Sequence, residues 1–226
     1  MRTRDKKNRK INLYQIIGQL ESSLKEMNVP FKEGFPIVPK EMLLCKMPKE
    51  ILPHPHHLKA AEPHNSLICN FSQDETLYLT LKELNKRIVI WKNFMGICGF
   101  DFSARAGDED VSQDMYLYLN KLLDAYVASH EIKILPNFRI AGNLSSLNVL
   151  RIYPPNSWFA VGTLGCSGNE KFNSMLLRYK LMFARPKHLL IYGILKDIYR
   201  KILEEYGVEY SIFEDFNRRS RNGYFK

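Results

Sequence analysis

The chain has 226 residues, 45% apolar and 25% charged, with a formal charge of +9. That is enough to bury a full core, the composition is ordinary for a globular protein, and no apolar run reaches the roughly 18–20 residues of a membrane span. The basic start Met1-Arg2-Thr3-Arg4 lacks an apolar stretch behind it, which argues against a secretory signal and for a cytoplasmic location.

The charge is unevenly spread. Residues 1–10 carry six Lys or Arg (Arg2, Arg4, Lys6, Lys7, Arg9 and Lys10) against Asp5, and residues 216–226 carry Arg218, Arg219, Arg221 and Lys226 with no acid. Residues 11–215 are therefore neutral, and the excess sits in two tails suited to non-specific contact with phosphate backbones. Cys45, Cys69, Cys98 and Cys166 form no C-x-x-C pair and read as reduced thiols.

In chain order, helical apolar spacing over 10–27 predicts an amphipathic helix ending before Asn28-Val29-Pro30. Seven prolines between 30 and 63 predict an irregular arm laid over the main domain, with one short strand or turn near 37–44. His54, His56, His57 and His64 lie in that arm without metal-ligand spacing and read as surface residues, so no metal is expected.

From residue 66 strands and helices alternate. Strands are expected at 67–71, 95–102, 132–140, 158–161, 188–193 and 208–213, with a further apolar segment at 88–91. Helices are expected from a cap at Asp74 to about 86, then over 111–129, 144–150, 168–183 and 195–206. Asp108-Glu109-Asp110, with Asp114, reads as a solvated helix start. The predicted fold is α/β, a mostly parallel sheet of about six strands with alternating helices, either open or an incomplete barrel, plus an N-terminal helix and the proline-rich arm. The division is 1–65 for tail, helix and arm, 66–215 for the α/β domain, and 216–226 for the basic C-terminal tail.

Both arrangements collect functional groups at the C-terminal strand ends. There the sequence places Asp101, Ser103, Asn137, Arg139, Gly162, Thr163, Gly165 and Tyr192, with Glu214 or Asp215. An acid, an amide, a guanidinium and a glycine-rich turn suit a ligand bearing phosphate or carboxylate. Taken singly, each also fits a cap or turn role. The turn from Gly162 to Gly168 has G-x-x-G-x-x-G spacing, which is neither a Walker loop nor the dinucleotide fingerprint, and no cofactor follows from it. Ser167 and Glu170 have capping-box spacing. Cys166, beside that helix start, is a candidate nucleophile without a base on its side of the sheet: His130 and His188 fall at strand N-terminal ends.

Four motifs in order, Gly99-Phe100-Asp101-Phe102-Ser103, Ile134-Leu135-Pro136-Asn137, Ala160-Val161-Gly162-Thr163-Leu164-Gly165-Cys166 and Leu190-Ile191-Tyr192-Gly193, resemble a bacterial and phage family catalogued as domain of unknown function forty-four seventeen. The resemblance spans about residues 66–215. It implies a setting on phages and mobile elements and carries over no catalytic roles. The expected function is binding of nucleic acid or a phosphorylated nucleotide ligand, with Asp101, Asn137, Arg139 and Thr163 lining the pocket. Two alternatives are a hydrolase acting on a phosphoester or glycosidic bond, with Asp101 as acid/base and Arg139 as anion clamp, and an interaction protein that blocks a host factor through the arm and N-terminal helix.

Overall fold

A computed structural model of the chain describes residues 12–53, 56–103, 109–140, 144–162 and 169–221. The first helix, α1 (Leu13–Glu26), starts at Asn12, whose side chain accepts from Gln15 N, and stops where Asn28 turns left-handed at φ 57. A short antiparallel pair, β1 (Phe31–Lys32) and β2 (Phe35–Pro36), turns through Glu33-Gly34, both at positive φ.

Seven parallel strands follow among the described residues: β3 (Glu50–Pro53), β4 (Ser66–Cys69), β5 (Gly96–Cys98), β6 (Ile134–Leu135), β7 (Trp158–Gly162), β8 (His188–Tyr192) and β9 (Glu209–Phe213). Hydrogen bonding orders them β3-β4-β5-β6 and β7-β8-β9. The two groups meet at one bridge, where Ala160 N donates to Pro136 O (2.8 Å) and Phe138 N to Ala160 O (2.7 Å). Spatial order thus equals chain order throughout. A doubly wound sheet would reverse its order at a switch point; this one does not.

Side-chain alternation shows that the sheet curls. Ile68, Ile97, Ile134, Phe159, Leu189 and Ile191 face the helices, whereas Ile51, Leu67, Cys69, Cys98, Leu135, Ala160, Leu190 and Tyr192 form a second core on the inner face. Phe71 and Phe213 pack against that inner core. Burial there pushes the Cys98 thiol well up beside Cys69, so it stays protonated and inert. Laid flat, six strand steps would put β3 and β9 roughly 29 Å apart. Instead α7 (Phe216–Arg221), which begins just past β9, reaches across to β3: Arg219 donates to Ile51 O, and the Phe216 ring stacks on His56, just past that strand, at 3.9 Å. The fold is an incomplete barrel, and α7 fills the gap.

The helices form the outer layer. They are α2 (Asp74–Lys82), α3 (Leu84–Trp91), α4 (Asp110–Ala128), α5 (Glu170–Ala184) and α6 (Asp197–Glu205), with a 3-10 segment at Leu144–Ile152. Among the described residues no helix is long and apolar enough to cross a membrane.

Several expectations are corrected. The segment 88–91 is the end of α3, because so short an apolar run fits a strand or a helix equally well. Asp74 does not cap α2: the cap position is Gln73, and the Asp74 carboxylate accepts from Ser103 N instead (3.1 Å). The cap of α5 is Asn169, whose side chain accepts from Phe172 N; Ser167 lies outside the described residues. The proline-rich arm supplies β3, an edge strand with Pro53 at its end, where a missing N–H is tolerated. His57 is fully buried against Phe94 rather than on the surface. The C-terminal tail contains the packed helix α7.

Candidate functional site

The motif after β5 leaves the sheet but not the fold. Phe100 N donates to Asp124 Oδ1 (2.9 Å), and Phe102 N donates to Asn120 Oδ1 (2.9 Å) while Asn120 Nδ2 returns a bond to Phe102 O (3.2 Å). Asn120 and Asp124 lie four apart on α4, hence on one face, and act as a substitute strand edge for residues 99–103. Gly99 is needed there: a Cβ would sit 2.8 Å from Asn137 N and 2.9 Å from Asp124 Oδ2.

This scaffold holds Asp101 still. Its Oδ1 accepts from Asn137 Nδ2 (2.8 Å) and Arg139 Nη1 (3.0 Å), and Asn137 Nδ2 also donates to Phe100 O (3.2 Å). The three residues named from the sequence thus converge from the ends of β5 and β6. Asp101 and Arg139 keep 17% and 32% of their side-chain surface exposed, so the ion pair is mostly buried but reaches solvent. Burial pushes the Asp101 carboxyl up, against the opposing pull of the Arg139 charge and the two hydrogen bonds.

Behind Asp101 lies a cluster that the sequence reading missed. Lys121 Nζ is 3.7 Å from Asp124 Oδ2 and donates to Tyr153 Oη (3.1 Å), all three groups being buried. Burial raises the Asp124 carboxyl to about 6, lowers Lys121 and raises Tyr153. The available signal was Asn120-Lys121 and Asp124 interrupting a helix otherwise rich in leucine.

The other candidates fare differently. Ser103 is tied through its backbone to Asp74. Thr163, Gly165 and Cys166 lie outside the described residues, as do residues 1–11 with the N-terminal basic tail. Gly162 serves packing: a Cβ there would meet Phe71 Cγ at 3.0 Å, across the barrel mouth. Gly162→Val should therefore destabilise by about 1–3 kcal/mol through overpacking, read from urea denaturation. Tyr192 is buried, and its hydroxyl accepts from Phe216 N (2.8 Å), which anchors α7. Arg219 holds Ile51 O, and Arg218 lies 3.6 Å from Asp215, which is itself buried. Arg219 thus braces the helix against β3, while the Arg218 side chain stays half exposed.

Comparison finds no match. No family model, no curated protein and no solved structure corresponds to this chain.

Two further features are structural. The groove of about 790 Å³ between α1 and α2–α3, lined by Gln15, Ile16, Gln19, Leu84 and Tyr126 among others, has exposed charged residues at its rim and lies away from the strand ends. It is a seam between helices. His188, at the opposite end of the barrel, bonds Ser211 Oγ (2.9 Å) and Glu209 Oε2 (3.4 Å) and stacks on Trp158, which satisfies both ring nitrogens of a buried histidine. Among the described residues no group of three or more His, Cys, Asp or Glu could hold a metal ion.

Proposed function

We propose that the chain binds a phosphorylated nucleotide or a nucleic-acid segment at the C-terminal strand ends, through Asp101, Asn137 and Arg139. The observation that carries this reading is their convergence on one carboxylate oxygen, on backbone pinned by α4. A carboxylate reads hydrogen-bond donors such as base amino groups, and a part-exposed guanidinium presents a planar fork suited to phosphate oxygens. The lysines and arginines of residues 1–10 add contacts that weaken with salt.

The test is a thermal-shift series with mononucleotides and short oligonucleotides. Wild type should be stabilised, by about 2.7 kcal/mol at a hundredfold excess over Kd. Arg139→Ala and Asp101→Asn should lose the shift while keeping most of their unliganded stability. Shifts that persist in both variants would move the ligand elsewhere.

The raised carboxyl of Asp101 favours one second reading, a hydrolase in which it serves as acid or base and Arg139 clamps the anion. Turnover unaffected by Asp101→Asn would remove that reading without touching the first.

A further inference from the structure

The inner face of the barrel continues past its core. Phe71, Asn137 and Gly162 each come two residues after an inner-core residue, Cys69, Leu135 and Ala160 respectively, so strand alternation points them into the same mouth. Phe71 is held there by its backbone: Phe71 N donates to Cys69 Sγ (3.4 Å), and the neighbouring Asn70 Nδ2 donates to Cys98 O (2.8 Å) on β5. From the end of β4 its ring reaches the end of β7, where a Cβ on Gly162 would stand 3.0 Å from Phe71 Cγ and 3.2 Å from Cδ2. The Tyr192 ring flanks it at 6.4 Å.

Strands β5 and β6 lie between β4 and β7. A side chain that bridges β4 to β7 on the concave side therefore passes over the mouth onto which the ends of β5 and β6 open, and those ends carry Asp101, Asn137 and Arg139. The ring is more than a plug. Phe100, Phe102 and Phe138, past the ends of β5 and β6, are buried, whereas Phe71 stays part-exposed. One mouth thus presents a planar apolar ring beside a carboxylate, an amide and a guanidinium. A bare sugar phosphate has no use for the ring, and an apolar ligand has none for the charges. A nucleotide uses both, its base against the ring and its polar edges and phosphate on the polar groups.

On the reading that these strand ends bind a nucleotide, we infer that Phe71 is the base-stacking residue of the site, and that the ligand must carry a nucleobase rather than a sugar phosphate alone. The base lies against the phenyl ring, and the phosphate lies toward Arg139. Gly162 belongs to the same device, because any side chain there would displace the ring from the mouth. Stacking is tolerant of base identity, since every base has a π face, so Phe71 selects for the presence of a base and leaves the choice among bases to the polar groups.

The test is calorimetric titration of the full chain with the four common ribonucleoside 5′-monophosphates and with ribose 5-phosphate. Wild type should bind at least one nucleotide roughly 5- to 150-fold more tightly than ribose 5-phosphate, the range for stacking one base on an aromatic ring. Phe71→Leu, which keeps an apolar side chain on the inner core, should remove most of that preference and leave the ribose 5-phosphate affinity unchanged. Phe71→Tyr should restore the preference. If the leucine variant does not fold, Phe71→Met takes its place. The inference is overturned if wild type shows no preference for a nucleotide, or if the substitution weakens both ligands alike, as a ring with a purely structural role would, or weakens neither. Wild type that binds neither ligand, or binding indifferent to Arg139→Ala, overturns the nucleotide site itself and the stacking role with it.

Discussion

Replacing Lys121 with methionine should destabilise the protein by about 3–5 kcal/mol, because it leaves the Asp124 carboxylate buried without its cation. For a chain of this size each kcal/mol lowers Tm by about 2–4 °C, so the effect is plain in a thermal scan. Adding Asp124→Asn should recover much of the loss. The amide oxygen can still accept from Phe100 N, and no charge is then left buried. Recovery would separate the buried charge from the loss of lysine packing, which the second substitution leaves in place.

The pH dependence follows from the same pair. The folded Asp124 carboxyl is raised to about 6 from 3.8, so between about pH 4 and 6 the native state holds a proton that the unfolded chain releases. Stability from this group is therefore fully present below about pH 4 and is lost as pH rises through 6. Removing Lys121 removes the charge that pulls Asp124 down, so Asp124 rises further. The gap between wild type and Lys121→Met should then narrow on acidification, measured as the difference between their urea midpoints at pH 5 and pH 8. A gap constant in pH would mean that Lys121 acts through packing alone.

How much of this was legible follows from which forces are local. Strands such as His188–Tyr192, buried throughout, announce themselves as short apolar runs, and the helix expected over 195–206 ends at Gly207, whose φ of 63 a glycine takes readily. The meeting of Asp101, Asn137 and Arg139 was legible because all of them follow strands, and parallel strands bring their ends together whatever the sheet's curvature. The curvature itself was not legible. It rests on contacts between residues far apart in the chain, such as Phe71 with Gly162, and no local pattern encodes them. Strand β3 was missed for a different reason. Only Ile51 and Leu52 are apolar, flanked by Glu50 and Pro53, and such a strand is specified by its partner β4 rather than by its own propensity.

The C-terminal basic run illustrates the same point and yields the second large effect. By composition residues 216–226 are a solvated tail, yet Phe216 is only 9% exposed, its N–H bonds Tyr192 and its ring lies on His56. A barrel short of one strand leaves the edges of β3 and β9 and the inner core between them in need of cover, and α7 supplies it. Phe216→Ala should cost about 3 kcal/mol, the lower end for deleting a buried aromatic side chain. Arg219→Ala should cost about 1–3 kcal/mol by leaving Ile51 O without that donor. A chain ending at Asp215 should lose more than either, bind a hydrophobic dye and show reduced protection of the β3 amides in hydrogen exchange. If Arg219 served instead as a phosphate-contacting tail residue, its removal would leave Tm unchanged and reduce the salt slope of oligonucleotide binding by about one. Brace and tail therefore predict opposite outcomes for a single substitution: a brace moves stability and leaves the slope alone, because the guanidinium is occupied by the backbone of β3.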